Sequence, residues 1–273
     1  MARLAQIWRY PVKAIGRERL KQVRLEAGAT LPRDRNWAVL HSNSVERLGD
    51  GATLSDWLPK SAFLRGAAGP ALQAVSGGLV DDGKLAFSHP DCEDIVIDPA
   101  DEADQERLIA WLAPLWPERR GAPERLVTGP VALTDSPEPF VSINSLDSLS
   151  VLESKVGERL GVERWRGNLW IEGAEAFAEQ DWIGREIHIG AARLVIREPI
   201  GRCAATAVDT ETGEPDRDMV RALSDAFGHS NFGVYAEVLD GAEIGELDEV
   251  TVMDAPADEG GDDAAAAGTG DDA

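Results

Sequence analysis

Short alternating runs of apolar and polar residues dominate this chain, with two longer stretches at helical spacing. Leu4, Ile7 and Trp8 lead into Tyr10-Pro-Val-Lys13-Ala-Ile-Gly16, where Pro11 and Gly16 break a first strand. Residues 20–25 predict a second strand, and Pro32-Arg-Asp34-Arg35-Asn-Trp37-Ala-Val39-Leu a turn feeding a third. Gly49-Asp-Gly51 reads as loop, and 54–63 as a helix or an irregular turn around Pro59. The apolar runs 71–75 and 79–80 precede Asp82-Gly83, a hairpin signal before strand 84–88, and 95–97 adds another strand. Leu108, Trp111, Leu112 and Leu115 recur at i, i+3, i+4 and i+7 and predict a helix over 101–116.

Pro117-Glu-Arg-Arg-Gly-Ala-Pro123 reads as a linker, which divides the chain into units 1–120 and 121–253. The second unit opens with strands 126–127 and 140–143. A helix over 145–156 carries Leu146, Leu149, Leu152 and Val156 on one face. Strand 168–172, a turn at Phe177-Ala-Glu-Gln-Asp-Trp182, and strands 186–189 and 192–197 deliver the chain to Cys203. A helix over 217–227 and strands 231–238 and 244–252 complete the unit. Many short strands with Gly and Asp turns make this a β-rich α+β chain, barrel-like or sandwich-like, with peripheral helices.

Composition narrows the setting. The 273 residues carry a formal charge of -22, which argues against non-specific binding to nucleic acid or anionic membranes. No segment is long and apolar enough to span a bilayer, and the N-terminus lacks a signal-peptide core, so a cytoplasmic protein is expected. Residues 254–273 hold six Asp and one Glu, no basic residue and no apolar side chain beyond Ala and one Pro, and predict a disordered acidic tail. Five Lys against 22 Arg fit either a salt-adapted host or a GC-rich genome.

The two cysteines, Cys92 and Cys203, make no disulfide framework, and the four histidines are scattered. Phosphate-loop, dinucleotide-fold and nucleophile-elbow motifs are absent. What stands out is Glu198-Pro-Ile-Gly-Arg202-Cys203-Ala-Ala-Thr206, where a strand stops and presents a thiol beside a fixed positive charge. Such a thiol is a small buried hydrophobe, a reactive thiolate or a soft-metal ligand. Lys13, Arg35, Arg166 and Arg202 fall at strand ends. They either pair with nearby carboxylates or converge on one cleft to bind a phosphate.

These segments together resemble proteins with a MOSC domain preceded by a MOSC N-terminal β-barrel domain, and in particular the amidoxime-reducing components and the YcbX-type reductases. The resemblance runs from about Leu4 to Val252. It is carried by Tyr-Pro-Val-Lys13, Asp34-Arg35-Asn-Trp37, Asn144-Ser145-Leu, Trp165-Arg166-Gly-Asn168, Phe177-Ala-Glu-Gln-Asp-Trp182, Ile187-His-Ile-Gly190, Arg202-Cys203-Ala-Ala-Thr206-Ala-Val-Asp209 and Asn231-Phe-Gly233-Val-Tyr235.

The resemblance implies a molybdenum cofactor, Mo-molybdopterin, in a cleft between the two units. Cys203 would be the catalytic thiolate on molybdenum and Arg202 would help keep it ionised. Lys13, Arg35, Arg166 and Arg202 would hold the pterin and its phosphate, with Ser145 and Asn168 as polar partners and Tyr235 nearby. The implied activity is reduction of small N-hydroxylated (N–O) compounds. Members of the family often carry Ser at the place of Ala14, a Thr-x-Arg segment is not visible after the Arg35 strand, and the ferredoxin module of some bacterial members is missing. Electrons would then come from a separate ferredoxin-, flavin- or cytochrome-type partner, which would meet an acidic surface. The alternative within the same family is a non-catalytic carrier of the cofactor, or of sulfur as a persulfide on Cys203.

Overall fold

The computed structural model describes residues 1–48 and 53–253, so the expected loop at Gly49-Asp-Gly51 and the expected tail at 254–273 lie outside the described residues. The chain opens with β1 (Ala2–Arg9), β2 (Glu18–Leu20) and β3 (Gln22–Arg24), the last two being the single strand expected over 20–25, now in two pieces. β4 (Trp37–His41) follows the Asp34-Arg35 turn. Residues 54–63 are irregular apart from a 3-10 turn at Lys60–Ala62, and the apolar run 71–75 is a 3-10 helix, Pro70–Ala74, started by Pro at its first position. β5 (Ser76–Leu79), β6 (Leu85–His89) and β7 (Cys92–Ile97) form a three-stranded antiparallel sheet.

Asp101 caps the next helix, α1 (Glu102–Leu112), accepting from the N–H of Asp104 at 2.9 Å. α1 buries Leu108 and Leu112 against Phe87, Ile97 and Trp116 in the core of the first unit. β8 (Pro123–Thr128) pairs antiparallel with β4 rather than with the strands that follow it.

The second unit adds β9 (Phe140–Ser145), α2 (Leu146–Val156), β10 (Leu169–Glu172), β11 (Glu186–Ile189), β12 (Ala192–Gly201), α3 (Met219–Phe227), β13 (Asn231–Asp240), β14 (Glu243–Gly245) and β15 (Glu249–Val252). The expected strand over 244–252 is two strands because Leu247, at φ 78, turns the chain between them.

Seven strands close into a barrel in the order β10, β9, β13, β12, β11, β15, β1, with β1 returning to β10. Every pair is antiparallel except β9 with β10. The period-two pattern points alternate residues inward, and an irregularity between Leu4 and Gln6 returns Ile7 to the inner side, so Leu4, Ile7, Val141, Ile143, Ile187 and Leu194 share one buried interior. β1 belongs to this ring although it is the first strand of the chain, and β3 pairs with β14. α2 and α3 cover one flank, packing Leu149, Leu152 and Leu223 on Trp170 and Phe232. The β-rich, two-domain fold expected from sequence is the fold observed. No helix among the described residues is long and apolar enough to cross a membrane.

Candidate functional site

A cleft of about 220 Å³ lies where the first unit meets the end of the barrel. The first unit brings Lys13, Arg35, Lys60 and Arg65 to it, and the barrel brings Arg164, Arg166 and Arg202. Against these stand the carboxylates of Asp34, Asp135 and Glu138. A chain with a formal charge of -22 therefore gathers a local excess of positive charge in one concave site.

The thiol is presented by the end of β12. The strand stops at Gly201, and Cys203 caps the 3-10 helix Ala204–Ala207, its carbonyl accepting from the N–H and hydroxyl of Thr206 at 3.0 and 2.9 Å. Cys203 is exposed on the cleft wall, so the buried-hydrophobe alternative does not hold. The polar turn beyond it is an Asx turn, with Asp209 Oδ1 accepting from the N–H of Glu211 at 2.7 Å and of Thr212 at 3.0 Å. Gly213 closes that turn at φ +73, where a Cβ would come within 2.9 Å of the Ala71 backbone. The turn is thereby pressed onto the first unit.

The arginines are fixed by backbone as much as by charge. Arg35 and Arg166 both adopt left-handed conformations, at φ 48 and 50, as does Ala14 at φ 63, and all three line the cleft. Non-glycine residues in this region carry strain, and such strain collects at functional sites. Arg35 is paired with Asp34, whose other oxygen accepts from the N–H of Tyr10 at 2.8 Å. The guanidiniums of Arg35 and Arg166 stand 4.6 and 4.4 Å from the centre of the Tyr10 ring.

Arg166 and Arg202 have no carboxylate partner among the described residues. Arg166 donates only to the carbonyls of Gly16 and Val12, at 3.2 and 3.5 Å. Arg202 donates to the carbonyls of Phe232, at 2.8 and 2.5 Å, and Trp165, at 2.7 Å. Burial, reinforced by Arg35, pushes Arg166 down to about 9, and burial pushes Arg202 down to about 10. At Arg35 burial works the same way, but the adjacent Asp34 carboxylate outweighs it and leaves that group raised. Buried charge is normally paired. Two half-buried guanidiniums facing one cleft without carboxylates are equipped to take up an anion.

Lys13 is almost fully buried and donates to Asp135 at 2.6 Å, and Lys60 reaches the other oxygen of Asp135 at 3.3 Å. Burial lowers the Lys13 ammonium despite Asp135. Asn168 lines the cleft but is held by the protein: its Oδ1 accepts from the Ser142 hydroxyl at 2.8 Å and its Nδ2 donates to the Trp8 carbonyl at 3.2 Å. Tyr235, half-buried and stacked on Phe140 at 5.8 Å, has its phenol raised by burial.

Seven of the eight sequence-expected site residues meet in this cleft: Lys13, Arg35, Arg166, Asn168, Arg202, Cys203 and Tyr235. Ser145 does not line it. Its side chain is buried and caps α2, accepting from the N–H of Ser148 at 3.2 Å. β9 alternates its faces, so Phe140 and Ser142 line the cleft instead. Residues missed from sequence are Lys60, Arg65, Asp135, Ser142 and Arg164. Arg164 is a buried staple, bidentate to Asp216 at 2.8 and 2.5 Å and donating to the Thr206 carbonyl at 2.9 Å, so it ties the Arg166 loop to the Cys203 loop.

Two supports flank the cleft. Asn144 is fully buried, with neither its Oδ1 nor its Nδ2 partnered among the described residues, and it is wedged between Gly167 and Gly233. In the Phe177–Trp182 motif, Glu179 is fully buried and accepts from the Ser148 hydroxyl at 3.0 Å through each oxygen, while Gln180 Nε2 donates to the Gly233 carbonyl at 3.0 Å.

The donor set fits an anionic group that carries a soft metal. Cys203 supplies one sulfur, Arg166 and Arg202 supply unanswered positive charge, and the buried indole N–H of Trp165, on the same wall, has no acceptor among the described residues. No group of three or more His, Cys, Asp or Glu among the described residues is arranged to hold a metal by itself. A metal at Cys203 must bring its other ligands with it.

The chain matches the MOSC domain over residues 131–251 and the MOSC N-terminal beta barrel domain over residues 1–113. It is 37% identical over 75 residues to a molybdenum cofactor sulfurase of Anopheles gambiae, a stretch covering 27% of this chain and 10% of that protein. With the molybdenum cofactor sulfurase of Homo sapiens it shares 36% identity over 73 residues, covering 26% and 8%. The match thus spans a tenth or less of the length of these relatives. Among solved structures, the YUAD protein from Bacillus subtilis aligns over 92% of this chain and 94% of its own, with a TM-score of 0.42 and 12% identity. YiiM from Geobacillus stearothermophilus aligns over 42% and 54%, with a TM-score of 0.33 and 16% identity.

Proposed function

The chain belongs to the MOSC family, and on that premise we propose that its cleft holds the molybdenum cofactor and reduces small N-hydroxylated compounds with electrons from a separate partner protein. The observation that carries this reading is the pair of half-buried guanidiniums, Arg166 and Arg202, with no carboxylate partners among the described residues, beside the exposed thiol of Cys203. Cys203 would bind the metal, and Arg166 and Arg202 would hold the anionic part of the cofactor, with Lys13 and Arg35 behind them. When bound, the cofactor supplies two-electron oxygen-atom chemistry. The net reaction takes an N–OH to N–H plus water, and it consumes two electrons and two protons.

The protein's share is binding and orientation. Asp34 and the Arg166 carbonyl fix the Arg35 fork, and Arg164 holds the two loops that carry Arg166 and Cys203 together. Tyr235 keeps its proton on Oη through the neutral range, because burial raises its phenol, and presents it as a donor at the wall. Expression in a cofactor-competent host, followed by molybdenum and pterin analysis, tests the binding. Turnover of a hydroxylamine with an artificial electron donor tests the activity. Cys203→Ser is expected to abolish turnover; full activity in that variant removes the role of Cys203.

The second reading is a carrier of cofactor or sulfur. It is favoured by the exposure of Cys203 and by the relatives named as molybdenum cofactor sulfurases. Stoichiometric molybdenum with no turnover on any N–O substrate, or a persulfide on Cys203 in the purified chain, selects it.

A further inference from the structure

Among the cations lining the cleft, Arg65 alone has a side chain with no protein partner among the described residues. Asp34 pairs with Arg35, Lys13 and Lys60 share Asp135, and Arg166 and Arg202 donate to backbone carbonyls. Arg65 is left over. Its side chain lines the cleft, half-buried, and makes no hydrogen bond or ion pair with any described residue.

Arg65 stands at the start of a turn closed on its own carbonyl, which accepts from the N–H groups of Ala68 at 2.9 Å and Gly69 at 3.0 Å. The N–H groups of the two intervening residues, Gly66 and Ala67, which also line the cleft, have no acceptor among the described residues. A guanidinium followed by two free backbone donors is the equipment of an oxyanion subsite. The turn is coupled to the Cys203 loop through one side chain. Gly66 packs so closely on Gln73 that a Cβ there would lie 2.5 Å from Nε2, and Nε2 donates to the carbonyl of Ala205, two residues past Cys203, at 2.9 Å.

We propose that Arg65, with the backbone N–H groups of Gly66 and Ala67, binds an acid group of the substrate, so that the protein selects N-hydroxylated compounds carrying a carboxylate or phosphate. This rests on the oxidoreductase reading above. The subsite is assigned to the substrate because Arg202 adjoins Cys203 and Arg164 ties the Arg166 loop to the Cys203 loop, whereas Arg65 comes from the first unit and reaches that loop only through Gln73.

The test compares phenylhydroxylamine with its 4-carboxy derivative on cofactor-loaded wild type, Arg65→Gln and Arg65→Lys, using an artificial electron donor. Wild type is expected to favour the carboxylated compound about tenfold in KM, the factor one charge-assisted contact gives. In Arg65→Gln the ratio of the two KM values falls to about one, and Arg65→Lys restores part of it. Tryptophan fluorescence titration of the same proteins with the two compounds reports the same preference as dissociation constants, so a protein that binds without turning over still answers. An unchanged ratio in Arg65→Gln overturns the subsite. A loss of molybdenum in Arg65→Gln overturns it too, because Arg65 then serves the cofactor. Absence of turnover with the binding preference intact counts against the oxidoreductase reading and leaves the subsite standing.

Discussion

Nη2 of Arg35 donates a 2.8 Å hydrogen bond to the carbonyl oxygen of Arg166, so one cleft arginine holds the backbone of the other in its left-handed turn. A lysine at position 35 keeps the charge but loses the fork that reaches Asp34 and Arg166 together. Arg35→Lys is expected to weaken cofactor retention by about 1–3 kcal/mol. The measurement is molybdenum per protein after dialysis. Full retention would rule out this role for the fork.

The Arg164 staple predicts a stability effect. Arg164 is buried and the Asp216 side chain is 31% exposed, so Asp216→Asn should cost less than a fully buried pair does, about 2 kcal/mol in urea unfolding at neutral pH. The hydrogen bonds from Arg164 hold the Asp216 carboxyl below its usual range. Its stabilisation is therefore present above the unfolded value and lost as pH falls through the folded one. The gap between wild type and variant should close below about pH 4.

Glu179 works in the other direction. Burial, with smaller contributions from Asp147 and Asp181, pushes it up to about 7 although its own N–H and the Ser148 hydroxyl favour the charged form. Its contribution to stability is full below the ordinary glutamate value and is lost as pH rises through about 7. Glu179→Gln keeps an acceptor for Ser148 without the charge. It should melt higher than wild type at pH 8, by an amount worth at most about 3 kcal/mol, with the difference gone near pH 4.5. A pH series of melting temperatures decides it; parallel curves would mean that the carboxyl does not titrate there.

Asp135 competes with any anion for Lys13 and Lys60. Asp135→Asn should bind inorganic phosphate more tightly, by about three- to tenfold for one partly exposed charge. The readout is the rise in melting temperature with phosphate, which follows ligand concentration over Kd. Equal shifts in both proteins would show that Lys13 is not available to the ligand.

Gly233 sits at φ +76, where a Cβ would lie 2.7 Å from both Asn144 Nδ2 and the Ile143 carbonyl oxygen, whereas a Cβ on Gly184, at φ +82, would meet nothing within 4 Å. Gly184→Ala should carry backbone strain alone, about 1 kcal/mol. Gly233→Ala should cost about 1–3 kcal/mol more by displacing Asn144, and should also lower cofactor content. Equal costs at the two sites would mean that Asn144 moves freely aside.

Sequence patterning located the helices because each advertises itself locally: Asp101 and Ser145 cap the apolar faces that follow. It gave 71–75 only as a short apolar run, where Pro70 starts a 3-10 turn, and it joined 244–252 across Leu247, whose positive φ no local rule announces. At the site, Cys203 and the four expected cations were legible through their motifs. Ser145 was placed one face away because a helix cap and a cleft residue look alike in sequence. Arg65 and Asp135 were not found, since each is an ordinary charged residue until the fold sets it on the cleft wall.

The barrel closes only when β1, at Ala2–Arg9, meets both β10 and β15, the latter at Glu249–Val252. Two segments separated by nearly the whole described chain must therefore find each other before the ring is complete. Loop-closure entropy makes such pairing slow, and on a ribosome the Ala2–Arg3 end of β1 keeps one open edge until β15 has emerged, although β2 and β10 pair with the strand earlier. The cleft inherits that separation: Lys13 and Arg35 are synthesised long before Arg202 and Cys203, the residues they meet across it. Any partner that loads a cofactor would find a finished site only at the end of folding.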